Sequence, residues 1–184
     1  VSYRNEAVVG AGIKASGVKR ADIFLTSKIP GQPEFTATDE KVHQTVSASL
    51  ERLGTNYLDL YLIHHPWDDL DDIVRVWHDL EQEVDDGRIK SIGVSNFDET
   101  ELGYLLARAR IKPVVDQIES NPASWNNGII EFAKKNNVVP EAWSPVKNVP
   151  DSIKKLLTEI GMRHRKTWSQ VLLRYQIQRG VVVI

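Results

Sequence analysis

Five short apolar runs of this sequence end in, or carry, side chains able to do chemistry. Lys28 closes "DIFLTSKI", His64 and His65 close "LDLYLIHH", and Ser95 with Asn96 closes "SIGVSN". Gln117 and Glu119 lie in "VVDQIES", and Trp143 with Ser144 ends "VVPEAWSP". A cation, two imidazoles, hydroxyls, amides and carboxylates are the groups of hydrogen bonding and proton transfer. Thiol chemistry is excluded: the chain has no cysteine, hence no disulfide framework, no thiolate metal site and no cysteine nucleophile. His43 and His78 fall on helical stretches without a carboxylate or histidine at metal-ligand spacing, so no metal is expected.

The elements that must position these groups are of two alternating kinds. The short runs just named, with the terminal "VVVI", are β-branched or aromatic and mostly apolar on both faces, which is the pattern of buried parallel strands. Between them lie longer amphipathic stretches. Residues 39–53 carry Val42, Val46, Leu50 and Leu53 at helical spacing and stop at Gly54; residues 73–84 stop near Gly87. Helices are also expected over 99–109, 128–136, 152–160 and 167–178, the last two in succession without a strand between them. Six strands separated by helices imply an α/β fold with a parallel sheet.

An open doubly wound sheet and a closed (β/α)8 TIM barrel both satisfy that order. The position of the polar groups decides between them. In barrels chemistry gathers at the C-terminal strand ends and is contributed by many strands. One strand ending in a polar group is only a loop boundary; five suggest a shared floor. Barrels of this kind usually need about 250 residues and eight strands, so residues 1–184 read as a single, incomplete barrel domain with about six parallel strands.

Composition narrows the partners. With 23 basic and 25 acidic residues the formal net charge is -2, which gives no field for nucleic acid or an anionic membrane. No apolar run approaches the roughly 18 residues of a membrane span, and "VSYRNEAVVG" lacks the basic start and apolar block of a signal peptide. A cytoplasmic protein is the expectation. "GAGIKA", Gly10 to Ala15, fits the weak dinucleotide fingerprint G-x-G-x-x-A but lacks a preceding strand, and the next strand ends in Lys28 rather than an acid. A helix over about 5–15, with its small residues packed closely on the barrel wall, is expected instead.

The runs "YRNEAVVGAGI", "LTSK", "LERLGTNYLDLYLIHHP", "LEQEVDDGRIKSIGVSNF", "VVDQIESNP" and "EAWSP" occur in the order and spacing of one family. On these the chain resembles an aldo-keto reductase, and the likeness spans nearly its whole length. The resemblance implies reduction of an aldehyde or ketone to an alcohol by hydride from NADPH, with NADH not excluded. It implies Tyr3 as general acid, Lys28 as the cation beside the phenol, and His64 as the group that orients the carbonyl. Ser95, Asn96 and Gln117 would bind the nicotinamide carboxamide, Trp143 would stack on the ring, and Ser144 would lie beside the pyrophosphate. His65, where the family often has tryptophan, and Trp67 would line the substrate pocket.

Each residue also has a plainer alternative: Tyr3 a terminal aromatic, Lys28 a solvated strand end, His64 a hydrogen-bonded core histidine, Trp143 core, and Ser95 with Asn96 a helix N-cap. Glu119 and Glu141 stand evenly between function and partnering buried donors; "RHRK", Arg163 to Lys166, reads as a solvated turn.

The sequence departs from the family at both ends. The aspartate of D-T-A-x-x-Y would fall before residue 1, and "GVVVI" stops where the family continues into P-K-[ST] and the adenosine site. The expectation is an internal piece, from the end of the family's second strand to its eighth, whose exposed sheet edges favour instability or association. Part of a complete enzyme's sequence, a shortened gene product and a deliberate fragment stay open, and the missing initiator methionine favours the first. The rival function is a non-catalytic nucleotide-binding or regulatory module. A flavodoxin-like binding protein would need a phosphate loop after the first strand, and none is present.

Overall fold

The computed structural model describes residues 2–184. The chain divides into two compact units, one running to Val114 and the other from Val115 to Ile184.

The first unit holds three strands, β1 (Thr26–Ile29), β2 (Leu60–Ile63) and β3 (Ile92–Ser95), and five helices: α1 (Glu6–Ser16), α2 (Pro33–Thr36), α3 (Asp39–Leu53), α4 (Leu70–Asp85) and α5 (Glu99–Arg108). β2 is central and pairs in parallel with both neighbours, Lys28 opposite Leu62 on one side and Val94 opposite Ile63 on the other. All four residues of β2 are buried, as a strand covered on two faces requires. Strands are shorter than their apolar runs: Arg20–Asp22 forms a 3-10 turn, and the backbone N–H of Leu25 donates to the Asp59 carboxylate rather than to a ladder.

Helix limits follow cap chemistry. Thr38 opens α3 by accepting from Lys41 N–H, and Gly54, at φ 65°, closes it in the left-handed region that glycine tolerates. Val42, Val46, Leu50 and Leu53 are all buried, as their spacing implies. α4 begins three residues before its apolar pattern because Asp69 caps it through Asp72 N–H. The single turn α2 has no counterpart in the periodicity; Pro33 at its start presets the backbone.

α1 occupies the "GAGIKA" run, so the helical reading of that motif holds. Its packing partner differs from the expected barrel wall. A Cβ at Gly10 would lie 2.6 Å from the Leu53 carbonyl oxygen and 2.8 Å from that of Arg52, whereas Gly12 faces open space. Gly10 therefore lets α1 cross the C-terminal end of α3. The buried Glu6 carboxylate, 5% exposed, accepts from Ser27 Oγ at 2.6 Å and from Arg52 Nε at 2.7 Å, tying α1 to β1 and α3. Burial pushes this carboxyl up, but the Ser27 and Arg52 hydrogen bonds outweigh it and hold it below its ordinary value.

The second unit contains β4 (Val115–Glu119), β5 (Val139–Trp143) and β6 (Val182–Val183), with α6 (Asn127–Lys135), α7 (Asp151–His164) and α8 (Trp168–Gln178). β5 pairs in parallel with β4 and β6, and α7 and α8 follow one another with no strand between, as read from the sequence. α7 runs four residues past its expected end, so Arg163 and His164 of the exposed "RHRK" run are helical rather than part of a turn, and it closes where Arg165 turns left-handed. Thr167 and Gln170 form a reciprocal capping box on α8, and buried Gln176 donates to the Ser120 carbonyl and hydroxyl. Among the described residues no helix is long and apolar enough to cross a membrane.

The Gly10 contact is against backbone, which cannot swing aside. Gly10→Ala should therefore destabilise the protein by about 1–3 kcal/mol, despite the roughly 1 kcal/mol that alanine gains in an exposed helix. Thermal denaturation followed by circular dichroism measures it.

Candidate active site

Tyr3, Lys28 and His64 come together in the first unit. The Tyr3 hydroxyl lies 3.5 Å from His64 Nε2, and the Lys28 ammonium is 5.8 Å from the centre of the Tyr3 ring. Ser2 Oγ stands 3.2 Å from the other ring nitrogen, Nδ1. A cavity of about 170 Å³ is lined by Ser2, Tyr3, Glu6, Ser27, Lys28 and His64, among others. Tyr3 is 67% exposed, so its hydroxyl is open to an incoming molecule. A roomier apolar hollow of about 620 Å³ along α7 and α8, walled by Leu156, Leu157, Ile160 and Tyr175, gathers no such set.

Local backbone sets these positions. His64 leaves the end of β2 and donates its N–H to the Ile29 carbonyl, one residue beyond Lys28. Tyr3 reaches the cavity because α1 is pinned at Glu6. Between them Arg4 adopts φ 51°, left-handed, at the position where the resembling motif Y-G-N-E carries glycine.

Around His64 the polar groups are ordered by Asn96. At φ 64° Asn96 turns the chain out of β3, and its amide nitrogen donates to the His64 carbonyl at 2.9 Å and to Ser95 Oγ at 3.0 Å. The same nitrogen is 3.0 Å from His65 Nδ1, and the His65 ring stacks on His64 at 4.4 Å and 26°. Neither Ser95 nor Asn96 caps α5. Asp98 does, accepting from Glu101 N–H while Glu101 accepts from Asp98 N–H. Trp67 donates its indole N–H to Asp72 at 3.1 Å, and Arg75 holds the same carboxylate. The Trp67 ring fills the space a side chain at Gly31 would need, with its Cε3 2.6 Å from that Cβ position.

Burial first, then the charges of Lys28 and His65, push the His64 imidazole down to about 4. Burial and Lys28 lower His65 as well. Both rings are neutral near pH 7, and a neutral imidazole donates from one nitrogen and accepts at the other.

In the second unit Gln117 is buried and donates from Nε2 to Glu141 Oε1 at 2.5 Å across the β4–β5 pair. Glu119 accepts from Asn121 Nδ2 at 2.9 Å. Both carboxylates thus partner buried donors, the plainer of their two readings. Trp143 ends β5 opposite Glu119, and Ser144 follows at φ 53° with its carbonyl accepting from Lys147 N–H.

Ser2 and Glu6 were not singled out from the sequence. Glu6 had a signal, an acid at the head of an amphipathic helix inside a matching run; Ser2 had none. His43 and His78, read as unremarkable helix residues, face Glu83 and Glu81. Among the described residues no group of three His, Asp or Glu side chains is placed to hold a metal.

The family model "Aldo/keto reductase family" matches residues 2–149. The chain is 42% identical to "Glyoxal reductase" of Bacillus subtilis over 99% of its own length and 64% of that protein's. Among solved structures, an aldo/keto reductase from Brucella melitensis superposes with a TM-score of 0.90 at 38% identity, over 99% of this chain and 69% of that one. An aldo-keto reductase of Bombyx mori in complex with NADP gives 0.89 at 32% identity, over 100% of this chain and 66% of that one. The chain belongs to the aldo/keto reductase family, and its fold class is α/β of the TIM-barrel type. It spans 64% of the length of the Bacillus relative.

Two outcomes are expected. A left-handed residue with a Cβ costs about 1–2 kcal/mol, part of which the unfolded-state freedom of glycine returns; Arg4→Gly should raise the denaturation midpoint by the equivalent of about 0.5–1 kcal/mol. His64 should stay unprotonated in an NMR titration until the pH approaches 4. Because its folded value lies below the unfolded value of about 6.5, the unfolded chain takes the proton first. Its contribution to stability is complete above that pH, declines as the pH falls toward 4 and changes no further below. A ring titrating near 6.5 would contradict the packing described.

Proposed function

We propose that the protein reduces an aldehyde or ketone to an alcohol with a nicotinamide cofactor, acting in the cytoplasm on a small-molecule substrate. The observation that carries the reading is the approach of the Tyr3 hydroxyl to His64 Nε2 within 3.5 Å, with the Lys28 cation 5.8 Å from the phenol ring.

The chemistry follows from those groups. A free phenol has a pKa of about 10 and yields its proton reluctantly; a lysine cation beside it stabilises the phenolate left behind. Tyr3 is thus the general acid that protonates the forming alkoxide. His64, neutral because it is half-buried next to a cation, donates a hydrogen bond to the same oxygen rather than a proton, and so fixes the direction of the carbonyl. Glu6 holds the start of α1, and through it Tyr3, beside β1.

When bound, NADPH supplies the hydride that the carbonyl carbon takes up. The residues at hand suit such a cofactor: the Ser95 hydroxyl and the Asn96 and Gln117 amides are the donors and acceptors a carboxamide needs. In this reading they hold the carboxamide, Trp143 stacks on the nicotinamide ring and Ser144 lies beside the pyrophosphate. His65 and Trp67 line the substrate mouth. Support comes from the family membership and from the NADP-bound Bombyx mori relative; NADPH is preferred over NADH on the same ground.

The test is a titration of the protein with NADPH followed by quenching of its tryptophans, then a carbonyl screen by NADPH absorbance. Saturable quenching that weakens in Trp143→Ala, with turnover lost about 10²- to 10⁴-fold in Tyr3→Phe, is the expected result. Saturable binding with no turnover of any aldehyde or ketone would favour a nucleotide-binding module instead.

A further inference from the structure

We propose that the hollow along α7 and α8 binds an amphipathic carboxylate, a free fatty acid of medium chain length, with its alkyl chain on the apolar walls and its charge toward the basic side chains of the rim. The inference concerns the second unit alone and does not rest on the reductase reading.

Two helix faces make the hollow. Ile153, Leu156, Leu157 and Ile160 recur on α7 at three- and four-residue spacing, the stripe of an amphipathic helix. Of these only Leu157 is buried, and Leu156 keeps 52% of its surface exposed. α8 sets Val171 and Tyr175, four residues apart on one face, along the same hollow, and Trp125 meets the Tyr175 ring edge-on at 5.4 Å. The space between them is about 620 Å³, within the roughly 300–1,000 Å³ of small-molecule sites. An apolar concavity left open to water in this way marks a place where something binds.

Charge selects the occupant. His164 and Lys166, at the turn between the helices, and Arg174 on α8 also line the hollow, whereas among the described residues no carboxylate lines it. Neither the Lys166 ammonium nor the Arg174 guanidinium is held by an acid of the described chain. Residues 151–184 carry seven lysines and arginines against two acids, although the whole chain has more acids than bases. A neutral lipid leaves those cations unused, and a small hydrophilic anion leaves the apolar walls wet. A molecule with one alkyl chain and one carboxylate meets both, and the guanidinium fork suits the carboxylate. Length agrees as well. Ile153 to Ile160 spans about 10 Å of helix, the reach of a medium-length chain, with His164 one turn further along.

The experiment is a titration of the 184-residue protein, followed by its amide NMR shifts, with three probes: octanoate, 1-octanol and acetate. Wild type is compared with the Lys166→Gln, Arg174→Gln double variant and with Leu156→Asp, all at exposed positions. The expected result is saturation by octanoate with shifts centred on α7, α8 and Trp125, and none by acetate. Octanoate should bind about threefold to tenfold more weakly in the double variant, falling to the level of 1-octanol, and weaken further with added salt. Leu156→Asp, which puts a carboxylate in the apolar wall, should cost more than about tenfold. Absence of saturation, equal affinity for octanoate and 1-octanol, or shifts centred on the Tyr3 cavity would each overturn the inference. So would a dimer in sedimentation that Leu156→Asp splits and octanoate leaves intact, which would assign the face to a second copy of the chain.

Discussion

The site depends on one buried carboxylate. Glu6 is anchored by Ser27, the neighbour of Lys28 on β1, and by Arg52 near the end of α3. An acid in that place is costly to bury unless its oxygens are fully met, and here a hydroxyl and a guanidinium meet them. The consequence is positional. Tyr3 sits three residues upstream on an exposed approach, and without a fixed Glu6 its hydroxyl would have no defined distance to Lys28 or His64. Gly10 serves the same end one turn further along, since only a residue without a Cβ lets α1 come so close to the last carbonyls of α3.

A second level of order lies at the β2 and β3 ends. Asn96 turns left-handed and donates from its amide nitrogen to the backbone carbonyl of His64, so the His64 imidazole is set by its own main chain as much as by its side-chain contacts. Capping of α5 falls to Asp98 and Glu101. The polar pair Ser95–Asn96 is thereby spared the helix terminus, and the N-cap alternative for these two residues is not the one realised. The low protonation tendency of His64 follows first from its burial there and then from the Lys28 charge.

Much of this was legible in the sequence where a single local rule decides. The apolar spacing of α3 and its stop at Gly54 map onto the structure without change, as does the succession of α7 and α8. Limits moved where a cap outweighs periodicity, as Asp69 does at α4. The polar strand ends of the first unit, Lys28, His64, Ser95 and Asn96, point to the site; the family runs assign Tyr3, which no periodicity marks. What escaped were contacts that join distant segments: Glu6 with Arg52, Ser2 with His64, and Gly10 against α3 instead of the sheet. None of these pairs shares a spacing that a linear pattern could show.

The contact of Trp67 with Gly31 ties two loops of different strands into one steric unit. The indole occupies the volume that any side chain at residue 31 would claim, while its N–H is held by Asp72. Substitutions at these two positions cannot be independent. A larger residue at 31 is admissible only in a background where residue 67 has shrunk, so drift or a designed library must pass through the smaller partner first. The order in which changes arise then governs which pocket shapes can be reached from this sequence at all.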